Sequence, residues 1–257
     1  MIRPAPNFAS ATLAIARFAM LRHLRSRRAI IAAVTLGLVV VAVAVTRARG
    51  GQSAADAWTT ALTSGLLSFA CYVIPFLFHA SSFSEEHEDR TLTYLLVRPV
   101  SRSAIVLGKY LAGSALVLAT NAFAVLALYL ASFAGSFDVA DASQLGHALA
   151  AVCLLSLGHS AIAAMYSAIA PEHATPLTVT HFAVGELGLR NLPSLIPMLS
   201  MHHHASEIAG VARVGYSEGA PTIPGAASAA IIVGFSVFFL LVATFVASAR
   251  EYRFAKA

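Results

Sequence analysis

The feature that most constrains the fold is an uninterrupted apolar run over residues 29–46, in which no side chain is charged. An α-helix needs roughly 20 such residues to cross the hydrocarbon core of a bilayer. Hydrophobic residues make up 58% of the chain and charged residues 11%, whereas soluble domains have about 45–50% and about 25%. A soluble domain could not cover its surface with so few charges, so the sequence predicts a membrane protein.

Five further stretches have a similar apolar character and approach the length of a bilayer crossing. Together with the first run they make six predicted spans, at residues 29–46, 61–80, 105–131, 145–170, 174–189 and 223–249. The fifth is the shortest and has Pro176 near its start. We therefore predict an all-α polytopic membrane protein that forms a single domain over residues 1–257, without room for a large extramembrane domain.

The placement of Lys and Arg predicts the orientation of these spans, because cytoplasmic loops carry an excess of basic residues. If the chain changes sides after each span, thirteen basic residues lie on the side of both termini and four on the other side. Both termini are therefore predicted to be cytoplasmic, in a multi-pass protein of the inner (plasma) membrane. The basic residues flank apolar runs, so the net charge of +5 indicates contact with lipid rather than with nucleic acid.

Two segments outside the spans also have a predicted position. Residues 7–28 are basic and partly apolar, and we expect an interfacial helix there, with a basic topogenic tail as the alternative. Residues 190–221 lie on the predicted outer side, yet they are rich in Leu, Ile and Met and are interrupted by Pro193 and Pro197. We expect short helices there that lie in, or dip into, the outer membrane surface.

Much of the charge of this apolar chain is concentrated between the second and third spans, in the sequence FSEEHEDRTLTYLLVRPVSRS. Ser84 can cap a helix with an acidic first turn, Pro99 would end that helix, and Ser101 can cap the next one. Three leucines at helical spacing give the first helix an apolar face: Leu92, Leu95 and Leu96. Such a helix is suited to docking on another protein, and the alternative is a solvated loop with basic residues.

Residues 85–113, EEHEDRTLTYLLVRPVSRSAIVLGKYLAG, resemble the cytoplasmic loop of ABC-2 type transporter permeases. That family has acidic residues, then Gly-Thr, a Leu-rich run, a Pro turn, Ser-Arg and Gly-Lys before the next span. The corresponding residues here are Glu88, Asp89, Thr91, Leu92, Leu95, Leu96, Pro99, Ser101, Arg102, Gly108 and Lys109. Arg90 stands where Gly is common. The six-span layout, the basic amino-terminal stretch and the apolar outer segment also resemble the family.

The resemblance implies an ABC-2 exporter permease fold in which residues 84–98 form a coupling helix, docked on a separate ABC ATPase subunit. The docking residues would be Glu85, Glu86, Glu88, Asp89, Arg90, Thr91, Leu92, Leu95 and Arg98. Two copies of the ATPase would bind ATP and Mg, while the permease itself would carry no cofactor. A second permease, as a homodimer or a related chain, would complete a pathway lined by spans two and five.

Motifs for covalent chemistry are missing from the sequence. SAIVLGKY lacks the first Gly of a Walker A motif and ends in Tyr110 rather than Ser or Thr, so ATP hydrolysis is assigned to a partner and the chain is not itself an enzyme. Cys71 and Cys153 lie in apolar runs and are predicted to be inert buried thiols. Aromatic residues make up 9% of the chain, which favours a hydrophobic or amphipathic substrate over a polysaccharide.

Polar side chains within the spans are candidates for the pathway or a gate, because a polar group facing lipid is costly. Asn121 lies in the third span, His159 in the fourth and His181 in the fifth, and the alternative is an interhelical hydrogen bond. Glu186 and Arg190 are four residues apart near the outer end of the fifth span. We expect them to pair, either as an interfacial ion pair or as part of an outer gate.

The sequence MLSMHHHASE in the outer segment leaves a different function open. The imidazoles of His202, His203 and His204 could hold copper or zinc in a metal-handling or metal-dependent membrane protein, although adjacent histidines point in different directions on a helix. Bound metal in the purified protein would favour this alternative. A third possibility is a membrane scaffold that binds an ATPase without transport, for which the ATPase rate would ignore every candidate substrate.

Overall fold

The computed structural model describes residues 7–80, 100–189, 192, 195–211 and 222–249, and the regular elements in these parts of the chain are all helical. The α-helices are α1 (Phe8–Leu24), α2 (Arg27–Ala48), α3 (Ala54–His79), α4 (Arg102–Phe133), α5 (Ala142–Ile169), α6 (Ala174–Thr180), α7 (Met201–Ala209) and α8 (Gly225–Ala249). Short 3₁₀ turns occupy Phe137–Val139, Pro171–His173 and Ile196–Leu199. The predicted all-α class is confirmed for the described residues.

Five of these helices are long and apolar enough to cross a membrane, namely α2, α3, α4, α5 and α8. They correspond to the first, second, third, fourth and sixth predicted spans, although each helix begins two to seven residues away from the predicted start. The helix boundaries follow local caps that hydropathy does not register. In α3, for example, the Ser53 hydroxyl accepts a hydrogen bond from the Asp56 amide at 3.1 Å, so this helix begins at Ala54.

The fifth predicted span has a different form. α6 covers only Ala174–Thr180 and continues directly into a π-helix, His181–Gly188, whose turns are wider than those of an α-helix. This segment is not among the five helices that are long and apolar enough to span. Its Pro, His and Glu side chains give it a lower hydropathy than its neighbours. The sixth crossing therefore stays a prediction.

Helix α5 lies at the centre of the bundle and packs against α3, α4, α7 and α8. Its side chains Leu155 and Ile162 are fully buried. The two outer helices, α2 and α8, instead expose most of their apolar side chains. Apolar residues on the outside are expected for helices that face lipid, because the bilayer does not penalise them as water does. Fully buried polar side chains such as Asn121, Ser156 and His159 lie on the inner helices α4 and α5.

Helix α1 packs along α4. The Asn7 side chain caps α1 by accepting a hydrogen bond from the Ser10 amide at 2.8 Å. The two helices approach so closely at Gly108 that a Cβ there would lie 2.8 Å from the carbonyl oxygen of Thr12. A helix therefore occupies most of the segment 7–28, in contact with the bundle, and its position relative to a membrane surface stays a prediction.

Helix α7 belongs to the segment 190–221, of which the structure describes residues 192 and 195–211. Its side chains are buried almost throughout, against α5 and α8. Gly158 of α5 leaves room for Met201, because a Cβ at that glycine would lie 2.5 Å from the Met201 sulfur. The helix ends at Gly210, whose positive φ of 63° suits a residue without a side chain. The outer segment thus places a helix inside the bundle.

Candidate functional site

The candidate site is built around a change of helical geometry in α3. The stretch Ala61–Ala70 is a π-helix, and the Cys71 amide donates to the carbonyl of Leu66, five residues back. An α-helix, Cys71–His79, follows and contains Pro75. Proline has no N–H, so the carbonyl of Cys71 cannot accept the usual hydrogen bond from the residue four positions on. π-Helical turns and internal prolines are frequent at functional positions and kinks.

Helix α5 makes hydrogen bonds to this position of α3 from one of its faces. The Nδ1 atom of His159 lies 2.7 Å from the carbonyl oxygen of Cys71. The hydroxyl of Ser156 donates to the Cys71 sulfur at 3.5 Å, and that thiol donates to the Val152 carbonyl at 3.7 Å. Residues 152, 156 and 159 are spaced at one helical face. Because a carbonyl oxygen only accepts, His159 carries its proton on Nδ1.

Helix α4 joins the same network through Asn121. Its Nδ2 atom donates to the Ser156 hydroxyl at 2.8 Å, and the Asn121 side chain is fully buried. The hydrogen bonds therefore run in one direction, from Asn121 to Ser156 and on to Cys71. We call Cys71, Asn121, Ser156 and His159 the Cys71 junction. The interhelical alternative for Asn121 and His159 is what the structure contains, since both side chains tie helices together.

Aromatic rings extend the junction toward α6 and α7. The Tyr72 ring stacks on His159 with 4.5 Å between centroids, and it also lies parallel to His202, at 6.3 Å. Phe182, from the π-helix after α6, packs against both Tyr72 and His159, at 5.2 and 4.8 Å. Tyr166 reaches His181 with its hydroxyl, 3.0 Å from Nδ1. Three of the predicted site histidines thus meet around shared aromatic side chains.

Glu186 caps helix α7. One carboxylate oxygen accepts from the Ser200 hydroxyl at 2.6 Å and from the His202 amide at 3.0 Å, and the other accepts from the Met201 amide at 3.3 Å. The residue is 3% exposed. A buried carboxylate is stabilised there because the first amides of a helix lack partners and the helix dipole is positive at this end. Arg190, its predicted partner, lies outside the described residues.

The three adjacent histidines of α7 point to different neighbours. The Nε2 atom of His202 lies 3.1 Å from the Ser68 hydroxyl on α3, and that of His204 lies 2.9 Å from the Met198 carbonyl. His203 meets His204 edge-on, with 5.3 Å between ring centroids. Within the described ranges no group of three or more His, Cys, Asp or Glu side chains could hold a metal ion. The metal hypothesis for His202, His203 and His204 gains no support from this geometry.

Residues 22–184 match the model of a protein family described as ABC-2 family transporter protein. This chain belongs to the ABC-2 transporter family. The match covers well over half of the sequence and includes all of the Cys71 junction, whereas Glu186 and helices α7 and α8 follow it. None of the curated proteins matched the chain. The family resemblance predicted from the loop motif is confirmed.

In the sequence, the end of α3 is followed by residues 84–98, the predicted coupling helix. All of the predicted docking residues lie outside the described residues: Glu85, Glu86, Glu88, Asp89, Arg90, Thr91, Leu92, Leu95 and Arg98. The helix on the far side of the segment, α4, is capped as predicted, because the Ser101 hydroxyl accepts from the Ala104 amide at 3.3 Å. The structure therefore describes the chain up to Ala80 and again from Val100.

The last residues of α3 are held in the ABC-2 bundle by two histidines. His79 is fully buried, with Nε2 3.4 Å from the Ser114 hydroxyl and the ring pressed over Gly113. On the other side, His23 of α1 packs edge-on against Phe78, at 5.5 Å between centroids. The end of α3 thus contacts both α1 and α4 a few residues before the predicted coupling helix.

The His23 imidazole is uncharged where α1 packs against Phe78 of α3. Burial lowers the pKa of His23 from 6.5 to about 4, helped by the positive charges of Arg28, Arg22 and Lys109. At neutral pH the imidazole is therefore uncharged, and no charge is buried where it packs against Phe78. These basic residues come from three helices: His23 and Arg22 from α1, Arg28 from α2 and Lys109 from α4. The three helices therefore meet near the end of α3.

One outward face of α3 is polar. Thr60 and Ser64 are exposed and Ser68 is partly exposed, at spacings that place them along one side of the π-helical stretch. The exposed positions of α8 are instead large and apolar, for example Phe238, at 58% exposure. Hydroxyl groups in contact with lipid cost free energy unless they bond to their own backbone or to a partner. This face of α3 is therefore less suited to lipid than the exposed face of α8.

Several members of the site carry no functional motif in the sequence. Tyr72, Ser156 and Ser200 belong to this group, and Cys71, a free and buried cysteine, takes part through its carbonyl and its side chain. The spacing of Cys71 and Pro75 was a usable signal, since a proline four residues after any helical position removes that position's donor. No comparable signal pointed to Ser200, which is fourteen positions away from Glu186 in the sequence.

Proposed function

We propose that this chain is the transmembrane subunit of an ABC exporter, which couples ATP hydrolysis by a separate ATPase to the movement of a hydrophobic or amphipathic substrate across the inner membrane. The observation that carries the proposal is the family match over residues 22–184 on a chain with five apolar helices of membrane-spanning length. Membership of the ABC-2 family makes the chain a membrane permease. The direction of transport, the class of substrate and the assignment to the inner membrane are our inference.

The route from ATPase to membrane runs through α3. This helix ends at His79, and the acidic segment 84–98 follows within a few residues before α4 begins at Arg102. A movement of this segment would therefore be passed to the Cys71–His79 end of α3, which is held by contacts with α1 and α4. In this proposal two ATPase copies bind ATP and Mg, and the docking residues are those predicted from the sequence.

The transport pathway would lie between two copies of the permease. The polar face of α3, with Thr60, Ser64 and Ser68, supports this arrangement, because hydroxyl groups suit a pathway or a protein seam better than lipid. Phe69, 43% exposed on the same helix, adds an apolar surface beside them. A mixed surface of hydroxyls and aromatic carbon fits an amphipathic substrate. The predicted pathway through spans two and five places α3 and the segment after α6 on this seam.

The test replaces Glu86, Glu88 and Asp89 together with Ala. We expect the variant to insert into the membrane but to lose the ATPase, because a coupling helix without its acids should bind the partner weakly. The measurement is mild-detergent purification of the tagged chain from its own host, followed by mass spectrometry of co-purifying proteins and an ATPase assay. Asp56→Ala, an exposed acid at the opposite end of α3, is the matched control.

Wild-type chain that retains a Walker-containing subunit, with retention lost only in the triple variant, would support the proposal. Equal recovery of that subunit with the triple variant would remove the docking role from these acids. Wild-type chain that purifies without any ATPase would overturn the function itself. In each case the amount of permease in the membrane fraction serves as the reference.

A further inference from the structure

The inference concerns the point at which α3 changes from a π-helix to an α-helix. The wider π turns end at Ala70, and Pro75 removes the hydrogen bond that would close the first α-helical turn onto the carbonyl of Cys71. Both features loosen the same few residues. A helix with an unclosed turn bends there at a lower cost than elsewhere, which is why prolines and π turns accompany kinks.

His159 supplies the missing donor from another helix. Its Nδ1 proton bonds to the Cys71 carbonyl at 2.7 Å, a short and fully buried contact. The Tyr72 ring, stacked at 4.5 Å, fixes the plane of the imidazole. Within the described residues the other ring nitrogen, Nε2, has no hydrogen-bond partner. The imidazole thus acts through one atom: Nδ1 of His159, on α5, donates to the Cys71 carbonyl of α3.

Further contacts from α5 and α4 hold the same position. The Cys71 side chain is hydrogen-bonded to the Ser156 hydroxyl and to the Val152 carbonyl, and Asn121 orients Ser156. The outer stretch Ala61–Ala70 and the inner stretch Cys71–His79 are therefore separate helical pieces joined at a residue that neighbouring helices hold. Only the inner stretch leads directly into the segment 84–98.

We propose that His159 is a positioning residue that clasps a hinge in α3 at Cys71 and Pro75. Movement of the segment 84–98 tilts the inner stretch Cys71–His79 about this hinge, while the outer stretch keeps its place. The source of that movement rests on the proposed function, whereas the hinge and its clasp are properties of the chain alone. His159 acts through the Cys71 carbonyl and touches no substrate in this inference.

The first experiment tests the clasp without any ATPase. An Asn side chain places its amide nitrogen near the position of Nδ1, whereas Gln places its amide nearer to Nε2. We expect His159→Asn to keep most of the thermal stability of the purified chain in detergent, and His159→Gln and His159→Leu to lower the unfolding midpoint by roughly 5 °C. Equal midpoints for the Asn and Gln variants would overturn the assignment to Nδ1.

A double-mutant cycle then tests the link to Pro75. Pro75→Ala restores an N–H that can bond to Cys71 within α3, so the imidazole becomes redundant. We expect His159→Leu to lower the midpoint at most half as much in the Pro75→Ala background as in the wild type. Independent, additive effects would overturn the proposal. Hydrogen exchange of Cys71–His79 gives a second readout, since its amides should exchange faster in His159→Leu and recover in the double variant.

The last experiment addresses movement in the complex with the ATPase. Hydrogen exchange of Cys71–His79 is compared with and without ATP trapped by vanadate. We expect an ATP-dependent change in the wild type that falls by at least half in Pro75→Ala, because a continuous helix resists bending, and that is kept in Pro176→Ala, an exposed proline of α6. An unchanged response in Pro75→Ala would overturn the hinge. Loss of the ATPase from the wild type would instead count against the proposed function, since the clasp is tested without it.

Discussion

At the scale of single residues, several buried polar side chains connect one helix to another. Glu186 is the plainest case, since its carboxylate accepts three hydrogen bonds at the start of α7, whereas its predicted partner, Arg190, lies outside the described residues. The helix amides it covers would otherwise be buried without partners, which costs more than the hydrogen bonds themselves yield. The position of α7 in the bundle therefore depends on one acid from another element.

Removal of this acid should loosen α7. We expect Glu186→Ala to lower the free energy of unfolding by about 2–3 kcal/mol, because a charged acceptor is lost from a buried helix start. Glu186→Gln should lose less, since its amide oxygen can still accept one of the bonds. The measurement is denaturant unfolding of the purified chain, with Glu172→Gln at an exposed site as the control. A Glu186→Ala chain as stable as the control variant would contradict the capping role.

At the scale of elements, glycines decide how closely helices approach. α1 lies on α4 because Gly108 has no side chain to hold the two backbones apart, and the obstacle there is the backbone carbonyl of Thr12. Gly234 of α8 has no atom within 4 Å of the place where a Cβ would stand. The two glycines are alike in sequence, each in the interior of an apolar helix, and differ only in their surroundings.

Alanine at these two positions should have opposite effects. We expect Gly108→Ala to destabilise the chain, since the new Cβ would lie 2.8 Å from the Thr12 carbonyl oxygen and must push α1 away. Gly234→Ala should be neutral or stabilising by up to about 1 kcal/mol, because alanine favours helix. Thermal unfolding of both variants, with hydrogen exchange of Phe8–Leu24, distinguishes them. Equal stability of the two would show that α1 does not depend on this contact.

At the scale of the whole molecule, the open question is the number of crossings. Five helices are long and apolar enough to span, and an odd number would place the termini on opposite sides. The charge distribution instead predicts that both termini are cytoplasmic, which would require the segment of α6 and its π-helix to cross as well. A less apolar crossing is tolerated where polar groups face other helices, as the buried Glu186 does here.

The side of the membrane reached before α8 separates the two topologies. We expect a cysteine at Thr222 to react with an impermeant thiol reagent added to intact cells, because six crossings place that residue outside. Gln52→Cys, between α2 and α3, should react in the same assay, and Glu172→Cys, between α5 and α6, should not. The unaltered chain, with its two native cysteines, gives the background. Protection of Thr222→Cys with normal labelling of Gln52→Cys would show that the chain crosses only five times.

Much of the fold could be predicted from the sequence because its causes are local. Of the six spans that the apolar runs predicted, five correspond to helices long and apolar enough to cross a membrane. Ser101 predicted the cap of α4, and the motif after the second span predicted the family. Each of these depends on neighbours along the chain, where hydropathy, caps and proline act within a few residues. Asn121 and His159 were likewise recognised as buried polar groups that need partners, although the partners themselves were not.

Only the tertiary structure decided which groups meet. Cys71 and His159 are separated by 88 positions and Glu186 and His202 by 16, and neither spacing marks a contact in a helix. The helical spacing of the three histidines of α7 predicted that they point in different directions, but only the packing shows which neighbours they meet. The physical reason is that a buried polar group bonds to whatever partner packing brings within reach. Hydropathy determines that such groups are inside, and the crossing of α3, α4 and α5 determines what they bind.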